Sequence, residues 1–208
     1  RGGEQGAQHS QALHAWFAHV PGLRVVMPST VSDARDLMIA SVLCKDPVVF
    51  IDDNWLYKDE DDIGEIQEKD LREIKPKVIL EGEDLTIVSS SYSTKLALES
   101  ASTLYADHGI SCEVIDLRVL NPLDNASIIS SVKKTKRLVV IDGGTRTAGY
   151  SAEIISSTVE SVPFNLLDHS PLRITLPDAP APTSKKLEEI YYLRSSNIVK
   201  SILSTLKK

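Results

Sequence analysis

Residues 23–51 read LRVVMPSTVSDARDLMIASVLCKDPVVFI, and this stretch decides the fold. The Val-rich apolar run from Leu23 to Met27 stops at Pro28 and has the length of a buried strand. Ser29 or Thr30 can cap the helix that follows, and Asp33 in its first turn complements the helix dipole. Ala34, Leu37, Met38, Ser41 and Val42 recur at helical spacing until Asp46-Pro47 breaks the run. Val48 to Ile51 is then a second continuous apolar strand. Strand, helix and strand with short connections make a parallel βαβ unit.

Before this unit, residues 8–19 (QHSQALHAWFAH) predict one helix with Leu13, Trp16 and Phe17 on one side, ended by Pro21-Gly22. After it, residues 58–70 carry charge with little apolar periodicity, the pattern of a solvated linker. An acidic docking surface for a basic partner is the other reading of that stretch. A second block then alternates strands (78–80, 85–88, 113–117, 138–141, 172–175) with helices (93–107, 124–134, 149–160). Pro177, Pro180 and Pro182 mark a rigid extended connection, and residues 187–206 predict an amphipathic tail helix. The fold class is α/β: one parallel α/β block, an acidic linker and first strand over 58–83, and a second, mostly parallel α/β block.

The balance of charges narrows the function. A net charge of −6 and a pI near 5.4 are unlike a nucleic-acid binder, which shows a basic face. The one dense basic group, Lys133, Lys134, Lys136 and Arg137, falls where a helix ends and cations suit its dipole. No run of about 20 apolar residues is present to span a bilayer. The two cysteines, Cys44 and Cys112, lie far apart and read as small core residues in a reducing, cytoplasmic setting. The opening Arg1-Gly2-Gly3 reads as a loop inside a domain, so the chain is expected to be a piece of a longer one.

The strongest local signal for chemistry is Gln5-Gly6-Ala7-Gln8-His9-Ser10-Gln11. A glycine-bearing loop there would deliver Gln8, His9 and Ser10 to a helix N-terminus, where backbone N–H groups favour anions. An imidazole in that place can bind an oxyanion or move a proton near neutral pH. Spacing alone favours a plain polar helix residue at His9. His14 and His19 lack the i, i+4 spacing and acidic partner of a zinc-binding helix, and read as a packing and a helix-end residue. Residues 142–149 (DGGTRTAG) join a strand to a helix where α/β folds bind ligands, yet match neither a dinucleotide nor a phosphate loop. An ordinary turn is the stronger reading, with Arg146 receiving an anion the weaker. Asp52-Asp53 reads as a solvated strand end.

Longer strings add to this. Residues 1–11 (RGGEQGAQHSQ), His14-Ala15-Trp16-Phe17 and residues 21–28 (PGLRVVMP) resemble the beta subunit of thiamin-diphosphate-dependent 2-oxo acid dehydrogenases, in the transketolase-like superfamily. Asp46-Pro47-Val48-Val49-Phe50, residues 114–118 (VIDLR), residues 121–124 (NPLD), residues 149–154 (GYSAEI) and residues 177–182 (PDAPAP) extend the resemblance over the whole chain. It implies the second half of a pyrimidine-binding domain over 1–57 and a transketolase C-terminal domain over 84–208. It implies that His9 lines the active site, with Gln8 and Ser10 as local supports. Thiamin diphosphate and Mg2+ would be held mostly by residues outside this chain, so the chain alone is expected to be inactive. The implied partners are an alpha subunit, a second beta subunit and, further out, a lipoyl acyltransferase core. The family's loop for a potassium ion reads Val42-Leu43-Cys44-Lys45-Asp46 here, and its Lys and Cys argue against K+. A non-catalytic assembly module and another transketolase-like enzyme are the competing readings; residues 8–11 (QHSQ) and 178–182 (DAPAP) speak against the latter.

Overall fold

The computed structural model describes residues 2–66 and 68–206. Arg1, at the head of the expected glycine loop, and Gln67, within the expected linker, lie outside the described residues.

The βαβ unit forms as its sequence dictates. β1 (Arg24–Val26) and β2 (Val48–Phe50) pair in parallel, joined by α3 (Val31–Leu43). Thr30 caps α3 by accepting the Asp33 N–H at 3.1 Å, and the chain turns extended at Cys44 just before Asp46-Pro47. The buried side of α3 is Asp33, Leu37 and Ala40; Ala34, Met38 and Val42 face solvent. Three of the five residues that defined the helix therefore lie outside the core.

The second block builds a five-stranded sheet from β3 (Lys77–Leu80), β4 (Leu85–Ser89), β5 (Cys112–Asp116), β7 (Leu138–Thr145) and β8 (Leu172–Leu176), in the order β3-β5-β4-β7-β8. Only the edge strand β3 runs antiparallel. Four strands with continuous apolar runs become parallel because α4 (Tyr92–His108), α5 (Ala126–Thr135) and α6 (Tyr150–Glu160) cover their faces. Gly109, at φ +65°, ends α4 in a left-handed turn whose amides return to Tyr105 and Leu104. α7 (Lys185–Tyr191) and α8 (Ser195–Leu206) replace the single tail helix predicted for 187–206. Ile198 and Ile202 of α8 join the core cluster of β4 and α4.

The two blocks are not beads on a string. β6 (Val119–Asn121), unforeseen, leaves the second block to pair antiparallel with β1, giving a three-stranded sheet β2-β1-β6. The acidic stretch is mostly exposed, as expected of a solvated linker, and is tied down at a few points. Arg35 donates to the carbonyls of Ile63 and Gly64, Lys69 pairs with Asp36 at 2.9 Å, and Lys95 of α4 holds Asp59 at 2.6 Å. Leu71, just past it, is fully buried against α3. Cys112 is a buried core residue, as expected, whereas Cys44 is half-buried at the end of α3.

Candidate functional site

The predicted helix over 8–19 is two short ones, α1 (Gly6–Ser10) and α2 (His14–Ala18), with Gln11 extended between them. The break has a tertiary cause. Gln11 turns its side-chain carbonyl to the Ala181 N–H at 3.2 Å, in the proline-rich segment. His9 thus sits in the last turn of α1, not at a helix N-terminus as expected, so the anion-binding rationale does not apply to it. Its side chain is exposed, as is that of Gln8.

What surrounds His9 is held firmly. Ser10 is buried and donates its hydroxyl to the Gly2 carbonyl at 3.2 Å, closing the loop on itself. The Gly2 N–H donates to the Tyr192 hydroxyl at 3.1 Å, and a methyl group added to Gly2, at φ +71°, would lie 2.6 Å from the Trp55 ring. Only glycine meets both demands. Glu4 completes the attachment, accepting from the Lys185 N–H, while its own N–H donates to Glu188, both at 2.8 Å. Trp55 and Tyr192 stack edge to face at 4.9 Å, and Trp55 meets Tyr92 at 4.8 Å. The corner bearing His9 is pinned to the C-terminal segment on one side and presented outward on the other.

His14 carries a buried polar bond that the sequence did not announce, and is more than a packing residue. Its Nε2 lies 2.9 Å from Asp142 Oδ1, and both residues are buried. Asp142 also accepts the Gly144 N–H at 2.8 Å and the Ser151 N–H at 2.9 Å. Burial pushes the Asp142 carboxyl up, but the His14 bond and charge and the two amides outweigh it and hold it at about 2. Asp142, inside β7, is therefore a docking point for α2, while residues 146–149 make the ordinary strand-to-helix turn expected there. A side chain at Gly144 would crowd the His14 ring at 3.1 Å. The only sequence signal was a histidine placed among alanines on the helix side opposite the aromatic residues. Arg146 points to solvent and bonds the Arg173 carbonyl, while Thr147 donates twice to Asp178.

Asp52 and Asp53 separate in role. Asp53 is buried and caps the turn at Trp55, against the expectation of a solvated strand end, while Asp52 accepts from the Tyr57 hydroxyl at 2.9 Å. Asp116, at the end of β5, is fully buried and accepts from Ser29 of the first block and from Thr94. Burial raises it to about 7. Among the described residues, no three His, Cys, Asp or Glu side chains gather to hold a metal ion. No helix among them is long and apolar enough to cross a membrane.

A doubly wound parallel sheet joined to a βαβ unit defines the class as α/β with two interlocked parts. The transketolase C-terminal domain model matches residues 75–198, and the transketolase pyrimidine binding domain model matches residues 1–58. The chain belongs to the transketolase C-terminal domain family. It is 36% identical to the mitochondrial pyruvate dehydrogenase E1 component subunit beta of Saccharomyces cerevisiae, over 97% of this chain and 56% of that protein. To the mitochondrial subunit beta-1 of Arabidopsis thaliana it is 42% identical, over 94% of this chain and 54% of the relative. The chain thus spans little more than half the length of these relatives. Its fold superposes on a split gene transketolase, described as an inactive beta4 tetramer, with a TM-score of 0.75 at 22% identity, over 97% of this chain and 63% of the other.

Proposed function

We propose that the chain is the C-terminal part of the beta subunit of a thiamin-diphosphate-dependent 2-oxo acid dehydrogenase, inactive by itself. The relatives' printed identity as pyruvate dehydrogenase subunits supports a 2-oxo acid as substrate, pyruvate first among them. The observation that carries the reading is the placement of His9: exposed, on a corner anchored by Gly2, Ser10 and Glu4. Such a residue suits a site finished by another polypeptide, in this reading an alpha subunit. Within the assembled enzyme, His9 moves a proton at its imidazole or orients substrate, with Ser10 fixing the loop beneath it and Gln8 beside it.

Thiamin diphosphate, when bound, supplies the nucleophile and electron sink for decarboxylation. The residues present here do not enclose it. His9 stands exposed, Ser10 turns its hydroxyl inward to the Gly2 carbonyl, and among the described residues no three His, Cys, Asp or Glu side chains gather to hold a metal ion. No step can therefore be drawn through the cofactor or Mg2+ from this chain. A second beta subunit and a lipoyl acyltransferase core complete the proposed partners, and a reducing compartment such as the cytoplasm suits the two free thiols.

The test is reconstitution. The chain is mixed with an alpha subunit and the N-terminal half of a beta subunit, then assayed for pyruvate decarboxylation with thiamin diphosphate and Mg2+. Activity should appear only with all three polypeptides, and His9→Gln should lower it roughly 100-fold or more without preventing assembly. Decarboxylation by the chain alone, or full activity with His9→Gln, would sink the reading.

A further inference from the structure

A hollow of about 580 Å³ opens where residues 54–58, the start of α4 and the junction of α7 with α8 meet. That is the size of a small-molecule site. Trp55, Tyr92 and Tyr192 give it an aromatic wall. Trp55 meets the two tyrosines edge to face at 4.8 and 4.9 Å, which holds the three rings against one another. The wall is also fixed from behind. The Tyr192 hydroxyl takes the Gly2 N–H, and Gly2 packs on the Trp55 ring too closely to admit a methyl group. A wall set in this way asks little further ordering of an incoming ligand.

The rim is cationic. Lys58, Lys185 and Arg194 line the hollow, all three are exposed, and none forms an ion pair among the described residues. Glu188 and Glu189 share that rim. Glu188 is drawn to the Glu4 N–H at 2.8 Å, which leaves Glu189 as the uncommitted carboxylate against three uncommitted cations. Arginine presents a planar fork that grips two phosphate oxygens at once, and lysines add point charges beside it. Aromatic side chains receive a flat base through its face, whatever its edge carries.

We propose that this hollow binds a nucleoside diphosphate. The base lies against Trp55 and Tyr92, and the phosphates lie between Lys58, Lys185 and Arg194. An inorganic anion would use the cations and leave the aromatic wall bare; a neutral aromatic compound would do the reverse. The assignment rests on the hollow and not on the catalytic reading of His9, so either can fail alone.

The chain has two tryptophans, so Trp16→Phe, at an exposed position, leaves Trp55 as its sole indole reporter. ADP titrated into that chain should change the Trp55 fluorescence, with calorimetry giving the affinity. Pyrophosphate and adenosine, the two halves of the ligand, should each bind about tenfold or more weakly than ADP. Arg194→Gln and Lys58→Gln should each weaken ADP binding roughly tenfold, with the melting transition kept because both side chains are exposed. Lys133→Gln, on α5 and outside the hollow, should leave the affinity unchanged. No ADP binding at millimolar concentration overturns the proposal. Pyrophosphate binding as tightly as ADP, Trp55 fluorescence unmoved at saturation, or Arg194→Gln and Lys58→Gln no weaker than Lys133→Gln overturns it equally.

Discussion

Asp116 and Asp142 lie on parallel strands either side of β4, both buried, and both receive a side chain from the first 30 residues. Their partners differ. Asp116 is met by the hydroxyls of Ser29 and Thr94 and by the Arg118 N–H, with Asp33 close enough to oppose its charge, and burial leaves it at about 7. Asp142 is met by the His14 imidazole and two amides, and stays ionised down to about 2. Depth alone does not set the charge of a carboxyl; the donors that answer it do. The junction between the two blocks thus holds one carboxyl that stays ionised and one that changes protonation near neutrality.

The largest effect should come from cutting the His14–Asp142 tether. His14→Leu leaves the buried Asp142 carboxylate without its imidazole, and should cost about 3–5 kcal/mol in urea unfolding. If the loss is under about 1 kcal/mol, the pair contributes little and the comparison fails. The neutral-range tether should give a smaller effect with a distinctive pH dependence. Because Asp116 is raised from 3.8 to about 7, the folded chain binds the extra proton, and its contribution to stability falls as pH rises through that window. Asp142 works the other way, lowered from 3.8 to about 2, with its contribution present above that window and lost as pH falls through it. Asp116→Asn removes the first slope. Subtracting its stability curve from the unmodified chain's between pH 4 and 8 should therefore show the variant gaining relative ground, levelling above about 7. A constant difference across that range would mean that Asp116 does not change charge there.

The parts of the fold legible in the sequence were those held by local signals. Thr30, Asp46-Pro47 and Gly109 punctuate their helices as turn and cap chemistry requires, and the apolar runs at 85–88 and 138–141 became central parallel strands. What was not legible came from distant contacts. The break between α1 and α2 has no Gly or Pro to announce it; Gln11 bonds Ala181 from 170 positions away. The break between α7 and α8 likewise follows Tyr192, whose ring packs on Trp55 and whose hydroxyl takes the Gly2 N–H. β6 is three residues long, and its partner β1 lies nearly 100 positions upstream. At the site, the string around His9 implied a helix N-terminus, whereas His9 sits in the last turn of α1. His14 and Asp142 had no shared pattern to connect them across 128 positions.

The claim on which the functional account rests is that His9 is held out at a boundary another subunit completes. Labelled histidine imidazoles can be followed by NMR while an alpha subunit is titrated into the chain. The His9 signal should shift or broaden as the complex forms, while that of His108, exposed at the end of α4, stays in place. A complex that assembles with the His9 signal unmoved would contradict the account.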